Sequence, residues 1–395
     1  MPWKECGVLE ERFRFLDHWN SGDGNMAELC RIFGVTRKTG YKWLARYEVD
    51  GMEGLKDQSR ASRHHPNQLG PDIEERVLEI RRAHASWGAP KIRAVLARQP
   101  ECGKPPAEST IGGILQRNGL TVARKRRRTA RPSSEPLAHA AGPNRVWCAD
   151  FKGWFRTADG ERIDPLTITD AHSRFLLRCQ TVKLADTAHS QPVFEAAFRE
   201  YGLPERMRTD NGAPFASNGD SGLTRLSVWW IKLGIVPERI MPGKPQQNGR
   251  HERMHRTLKD ATASPAAANR RRQQERFDAF RKEYNEQRPH EALGQATPAS
   301  VYALSAREYP GRLAQTEYPR EWKRAKVSDG GQFKWRGSNV FAAHALSGES
   351  IGMEPLEEDG WRIWFSFYEV GVLDANGKVW SPARWTKRCA KRRTG

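Results

Sequence analysis

Acid is what this chain is short of. Its 395 residues hold 47 Asp and Glu against 66 Lys and Arg, a formal net charge of +19. Such an excess favours a polyanionic partner and predicts binding that weakens steeply with salt through counterion release. Cysteine is also scarce. Cys6, Cys30, Cys102, Cys148, Cys179 and Cys389 are scattered without C-x-x-C spacing. That argues against a disulfide framework and a cysteine-based zinc site. His64-His65 has no spaced Cys pair downstream and reads as loop. No apolar run approaches the roughly 18 residues of a membrane span, and no basic amphipathic helix carries a bulky apolar face. A membrane partner is therefore not expected. The N-terminus has no basic head, apolar stretch and small-residue cleavage site, so the expected location is the cytosol.

The length suits two to four domains. Val8 to Trp19 reads as a helix with Leu9, Phe13 and Leu16 on one stripe and Phe15 and Trp19 beside it. A second short helix runs from Met26 to Gly34, and Thr36 caps a third from Arg37 to Tyr47. Two helices joined by a tight Gly-containing turn predict a helix-turn-helix. Arg37, Lys38, Tyr41 and Lys42 open the second helix, the end that meets base edges and phosphates in such motifs. After a linker over 59–70, a second helical unit is expected. Its helices are Asp72–His84, Lys91–Arg98 and a stretch capped by Ser109 that ends at Gly119. It resembles a second helix-turn-helix, weakened by Gly112 and Gly113 inside its last helix. Arg124 to Arg131 then carries a run of cations, Arg126, Arg127 and Arg128 among them, expected to be a linker that tracks phosphates.

From Asn144 the pattern turns α/β. Arg145–Arg156, Leu166–Asp170 and Phe175–Val182 predict a three-stranded antiparallel meander. A helix over Asp186–Tyr201 follows, then a strand Arg206–Thr209 ending in Asp210-Asn-Gly212. A helix over Leu223–Leu233, a short strand Ile235–Ile240 and a Gly/Pro-rich loop lead to a helix capped by Asn248. On that helix Glu252, Arg256 and Lys259 stand at i, i+4 and i+7, on one face. The last helix is Gln273–Glu286. This order is that of the ribonuclease-H-like fold. Beyond Tyr318 the pattern alternates again, with hairpin signals at Asp359-Gly360 and Asn376-Gly377, and predicts a small C-terminal β-barrel. The tail Lys387–Arg393 is expected to be disordered.

Asp150 lies on the first strand of this region, Asp210 at the end of a later one, and Glu252 in the first turn of a late helix. Alone, each has an ordinary explanation: an exposed strand acid, turn chemistry, a surface Glu–Arg pair. Asp170 is read as turn chemistry only. Together, the three acids fall where this fold gathers functional groups, at strand ends and helix starts. Phosphodiester cleavage builds charge on an attacking and a leaving oxygen, which two Mg²⁺ ions about 3.5–4 Å apart can stabilise. Magnesium prefers carboxylate oxygens, and three acids gathered without a cation would repel one another. The expected site is thus Asp150 bridging two ions, with Asp210 on one and Glu252 on the other.

Trp147-Cys-Ala-Asp150, Thr209-Asp-Asn-Gly212, Pro245-Gln-Gln-Asn-Gly-Arg-His-Glu252 and Tyr284-Asn-Glu-Gln-Arg-Pro-His-Glu-Ala-Leu293 resemble the integrase core of DDE transposases. These are the enzymes of bacterial insertion sequences, related to retroviral integrases. The resemblance covers about residues 140–305. It implies Asp150, Asp210 and Glu252 as catalytic, metal-binding acids, with Mg²⁺ as cofactor, Mn²⁺ able to substitute, and no nucleotide. It implies Lys259 as a contact to the element's DNA end, with Lys244, Arg250 and Arg256 beside it. Two departures stand out. The 42 positions from Asp210 to Glu252 exceed the family's usual gap, an excess that the loop Ala216–Gly222 can absorb at little cost. The zinc-binding His/Cys module of retroviral integrases is absent, its place taken by the helix-turn-helix units.

The expected layout is multidomain α/β: helix-turn-helix at 1–58, linker 59–70, a second such unit at 71–123 and a basic linker at 124–143. A ribonuclease-H-like core of mixed sheet and helices follows at 144–304, then a β-rich domain at 305–386 and a basic tail at 387–395. The expected function is that of a DNA transposase of the bacterial nucleoid, a homodimer or larger on DNA. It would bind terminal inverted repeats, cleave to free 3′-hydroxyls and join them to target DNA. The alternatives are a non-catalytic DNA-binding repressor derived from a transposase, and a ribonuclease-H-type nuclease.

Overall fold

Residues 7–59, 69–121, 139–217, 219, 221–240, 249–313, 315–356 and 360–393 are described by a computed structural model of the chain. Lys244, Asn248, Asp359 and the cation run with Arg126, Arg127 and Arg128 lie outside them. The chain divides into two units, Met1–Asp72 and Ile73–Gly395.

The first unit holds α1 (Val8–Asn20), α2 (Met26–Ile32) and α3 (Arg37–Asp50), closed by a 3₁₀ turn at Gly51–Leu55. Asn25 caps α2 by accepting from Glu28 N, and Thr36 caps α3 by accepting from Thr39 N at 3.2 Å. Gly34 takes φ +64° in the turn between them, a conformation that glycine adopts without Cβ strain. Phe15, Leu16, Met26, Leu29, Cys30, Trp43 and Leu55 form the core. The expected stripe is rotated. Leu9 and Phe13 stay about two-fifths exposed, at 39% and 40%, because Phe15 and Leu16 supply the buried face. Gly40 is a packing residue: a Cβ there would meet Cys30 Sγ at 2.7 Å and Met26 Sδ and Phe15 Cζ at 2.9 Å.

The second unit opens with α4 (Pro71–Ala83), α5 (Ala89–Leu96) and α6 (Glu108–Arg117). Val77, Ile80, Trp87, Ile92, Leu96, Ile111 and Ile114 are buried. Arg81 fastens the cluster by donating to the carbonyls of Trp87 at 2.6 Å and Leu120 at 2.7 Å. The last helix starts at Glu108 with Ala107 at its cap, so Ser109 lies inside it rather than capping it.

The integrase-like region consists of β1 (Val146–Phe151), β2 (Phe155–Arg156), β3 (Arg162–Asp170), β4 (Leu176–Val182), α7 (Thr187–Tyr201), β5 (Arg206–Thr209), α8 (Arg225–Lys232) and β6 (Val236–Arg239). Helices α9 (Gly249–Thr262), α10 (Arg270–Lys282) and α11 (Pro298–Val301) close it. The expected first strand is two, broken at Lys152–Trp154. β3 pairs antiparallel with β4 and β1, whereas β5 joins β1 and β6 in parallel. This mixed sheet is the ribonuclease-H-like core. Alternation sorts its faces. Trp147, Ala149, Leu166, Ile168, Leu177 and Met207 pack under Val193, Phe194, Ala197 and Phe198 of α7. Leu176 and Cys179 meet Met254 and Leu258 of α9 and Phe277 and Phe280 of α10.

The C-terminal region holds β7 (Lys323–Lys326), β8 (Gln332–Trp335), β9 (Ser338–Phe341), β10 (Ser350–Pro355), β11 (Trp361–Phe365), β12 (Tyr368–Leu373), β13 (Val379–Trp380) and α12 (Pro382–Arg393). Among the described residues these strands do not close into the expected barrel. They form an open sheet in the order β13-β12-β11-β10-β7 and a separate β8–β9 hairpin. The turn at Asn376-Gly377 does join β12 to β13, with Gly377 at φ +80°. The basic tail, expected to be disordered, is α12. Its Arg388 pairs with the buried Asp374 at 3.0 Å and lies 4.6 Å from the Trp380 ring. These are tertiary contacts that composition does not reveal. Helix α8 serves two cores: Leu226, Trp229 and Trp230 face the central sheet, and Val228 and Ile231 face the C-terminal one.

Candidate active site

The site grows from the parallel pairing of β1 with β5. Their register runs from Val146↔Arg206 to Ala149↔Thr209. Asp150 is the next residue of β1, and Asp210 follows directly on the last residue of β5. Asp150 is opposite Thr167 of β3, which faces α9. Asp150 is half-buried, with 15% of its side chain exposed. Asp210 is half-buried too, and its Oδ1 accepts from the Gly212 amide at 3.2 Å, closing the Asp-Asn-Gly turn.

Glu252 comes from across the sheet face, in the first turn of α9. Glu252, Arg256 and Lys259 are all exposed, whereas His251, Met254, His255, Leu258 and Thr262 are buried. The predicted functional face is therefore the solvent face of this helix. Arg250 is exposed beside it, 3.5 Å from the Ala171 carbonyl.

Two histidines that sequence reasoning missed hold that helix in place. His251 Nε2 lies 2.6 Å from Thr167 Oγ1 and its Nδ1 3.1 Å from Thr169 Oγ1. His255 Nε2 lies 2.7 Å from the same Thr167 hydroxyl. One hydroxyl proton can serve only one ring, so at least one histidine donates through Nε2. Burial pushes His251 down to about 3, and burial, reinforced by His251 and Lys152, pushes His255 to about 2. Both rings are thus neutral at physiological pH. The spacing of His251 and His255, four apart and flanking Glu252, is a signal visible in the sequence; their threonine partners on β3 are not.

Among the described residues, one trio has its ligating atoms all within 4.8 Å of one another, and it is Asp150, His251 and His255 rather than the three acids. His255 Nδ1 stands 3.9 Å from Asp150 Oδ2, too far for a hydrogen bond. Three of the four ring nitrogens already hold threonine hydroxyls. As a cage this trio would have to surrender those bonds, whereas Asp150, Asp210 and Glu252 offer the hard oxygen donors that suit magnesium.

Around the acids the charge is positive. Burial and the Lys259 ammonium lower the pKa of Lys152, partly offset by Asp150. Asp170 is structural, as its turn position suggested. It is buried, and accepts from Asn144 N at 2.8 Å, Ser173 N at 2.7 Å and Ser173 Oγ at 2.6 Å. Asn285 of the Tyr284–Leu293 motif is structural as well: it accepts from Leu176 N at 2.8 Å and donates to Leu176 O at 3.0 Å, tying a π-helical turn at Glu283–Gln287 to β4. In the first unit Arg37, Lys38, Tyr41 and Lys42 are all exposed at the start of α3.

Comparison with known proteins agrees with this architecture. Two family models described as integrase core domain match residues 140–245 and 233–298. A helix-turn-helix domain matches 11–63 and a homeodomain-like domain 39–115. The chain is thus similar to transposases of bacterial insertion elements, with matches to helix-turn-helix domains ahead of an integrase core. Its C-terminal residues 323–379 match the C-terminal domain of IS481 family transposases. Similar proteins include the insertion element IS407 uncharacterized 31.7 kDa protein of Burkholderia multivorans, 26% identical over 69% of this chain and 89% of its own. Transposase InsD for insertion element IS2D of Escherichia coli is 27% identical over 68% of this chain and 88% of its own. Among solved structures, the HTLV-2 integrase catalytic core domain in complex with magnesium aligns with a TM-score of 0.33 and 15% identity. It covers 41% of this chain and 99% of its own. The simian T-cell lymphotropic virus intasome in complex with PP2A regulatory subunit B56 gamma aligns with a TM-score of 0.37 and 14% identity, over 74% of this chain and 97% of its own. No described helix is long and apolar enough to cross a membrane.

Proposed function

We propose that this chain moves its element by cutting DNA at the terminal inverted repeats to free 3′-hydroxyls and joining those ends to target DNA by transesterification. Asp150, Asp210 and Glu252 would hold two Mg²⁺ ions, Mn²⁺ substituting, without a nucleotide cofactor. Bound there, the ions would supply charge stabilisation for the attacking and leaving oxygens and an acidified nucleophile. The observation that supports the reading is the parallel β1–β5 register, whose last pair, Ala149↔Thr209, comes one residue before Asp150 and Asp210. The chain's own residues do the positioning. Thr167 and Thr169 hold His251 and His255, and through them the turn of α9 that presents Glu252. Lys259, Arg256, Arg250 and Lys244 are assigned to phosphates of the reacting strand, where a cation row offsets the repulsion between DNA and three acids.

Residues 1–128 would read the repeats: the exposed Arg37, Lys38, Tyr41 and Lys42 at the groove, Arg126, Arg127 and Arg128 along the backbone. Joining two ends in one reaction requires two chains, so the active assembly is a homodimer or larger, working at the nucleoid in the cytoplasm. The test is strand joining on labelled terminal-repeat DNA with Mg²⁺. Asp210→Asn and Glu252→Gln should hold joining at background while still shifting the DNA in a gel. Unchanged joining in either variant would end the acid assignment.

A further inference from the structure

A cleft of about 180 Å³ lies between the β1–β2 connection, which follows Asp150, and helices α9 and α10. Phe155, Leu258 and Phe277 are among its lining residues, and so are Lys152, Trp154 and Lys259. Trp154 is 56% exposed, which leaves part of its indole accessible to a partner. Its ring also has the Arg162 guanidinium 4.9 Å from the centroid, which braces the indole. Lys152 is two residues beyond Asp150, and Lys259 is on the same face of α9 as Glu252, seven residues on. Both ammonium side chains belong to the lining of the one cleft. An apolar, aromatic hollow with cations beside it suits a flat ring carried on a phosphate chain, which fills the hollow and pairs with both ammonium groups.

We propose that the cleft receives an unstacked base of the DNA strand whose phosphate lies at Asp150, with the Trp154 indole as stacking surface and Lys152 and Lys259 on the adjoining phosphate. This rests on the transposase reading. Stacking on an aromatic side chain tolerates any base. The cleft would therefore hold the strand end out of the duplex without reading its sequence.

The experiment uses the full-length chain and duplexes from the element's own ends, with 2-aminopurine placed at successive positions beside the cleaved phosphate. With the unaltered chain, emission should change at one position. Trp154→Phe should keep that change. Trp154→Ala should lose it and bind the end on the order of tenfold more weakly. Because Trp154 is mostly exposed, its replacement leaves the core intact. An emission profile and affinity unaltered in Trp154→Ala would overturn the proposal, even with joining intact. A Trp154-dependent signal with no joining by the unaltered chain would keep the cleft and reject the transposase chemistry instead.

Discussion

Thr167 is where the site is most sensitive to a single atom. Its hydroxyl meets both His251 and His255 and donates to the Asp150 carbonyl at 3.1 Å. Thr167→Val keeps the shape and strands two buried ring nitrogens, at about 1–3 kcal/mol of stability. Joining should fall by roughly 10–100-fold, as for other groups that orient metal ligands. Thr167→Ser should restore both, which thermal melting and joining rates would check. The rings also set a pH dependence. An unfolded histidine titrates near 6.5, whereas burial holds His251 near 3 and His255 near 2. Below about pH 6.5 the unfolded chain takes up protons that the folded one refuses, so stability falls as pH drops. The slope is about 1.4 kcal/mol per pH unit for each ring. Metal-free melting between pH 6.5 and 5 should show it, and His255→Asn should reduce it. The places of the three acids in the elements were legible in the sequence, Asp150 on β1, Asp210 just after β5 and Glu252 in the first turn of α9, because strand ends and turn chemistry mark them. The histidines were not assigned, because their partners Thr167 and Thr169 lie more than eighty positions away in the chain.

Among the elements, α3 shows how a helix-turn-helix is fixed by packing. Alanine is the better helix former by about 1 kcal/mol, yet Gly40→Ala would drive a methyl to within 2.9 Å of Phe15 and Met26 and closer still to Cys30. Overpacking of that kind costs about 1–3 kcal/mol. The variant should melt lower in its first transition and bind terminal DNA more weakly. A neutral or stabilising effect would contradict the packing. The start of α3 was legible from Thr36 and the cations after it, since capping is local chemistry. The C-terminal sheet was legible strand by strand but not as a closed or open whole, since closure depends on whether the edges β7 and β13 meet. The helical α12 was missed for a similar reason. Seven residues rich in Lys and Arg read as solvated chain until Asp374 and Trp380 are seen to hold Arg388.

For the whole molecule, the +19 charge sets the terms on which it meets DNA. Affinity should fall log-linearly with salt, and Arg256→Ala and Lys259→Ala should each lower the slope by about 1 if each holds a phosphate. An unchanged slope would remove them from the DNA path. The claim on which the chemistry stands is that three carboxylates, not the Asp150–histidine trio, hold the metal. Electron paramagnetic resonance of Mn²⁺ bound to the full-length chain on its terminal DNA separates the two. Bound Mn²⁺ should be lost in Asp150→Asn, Asp210→Asn and Glu252→Gln, and retained at neutral pH in His251→Asn. Loss in His251→Asn, with full binding in Asp210→Asn and Glu252→Gln, would contradict it.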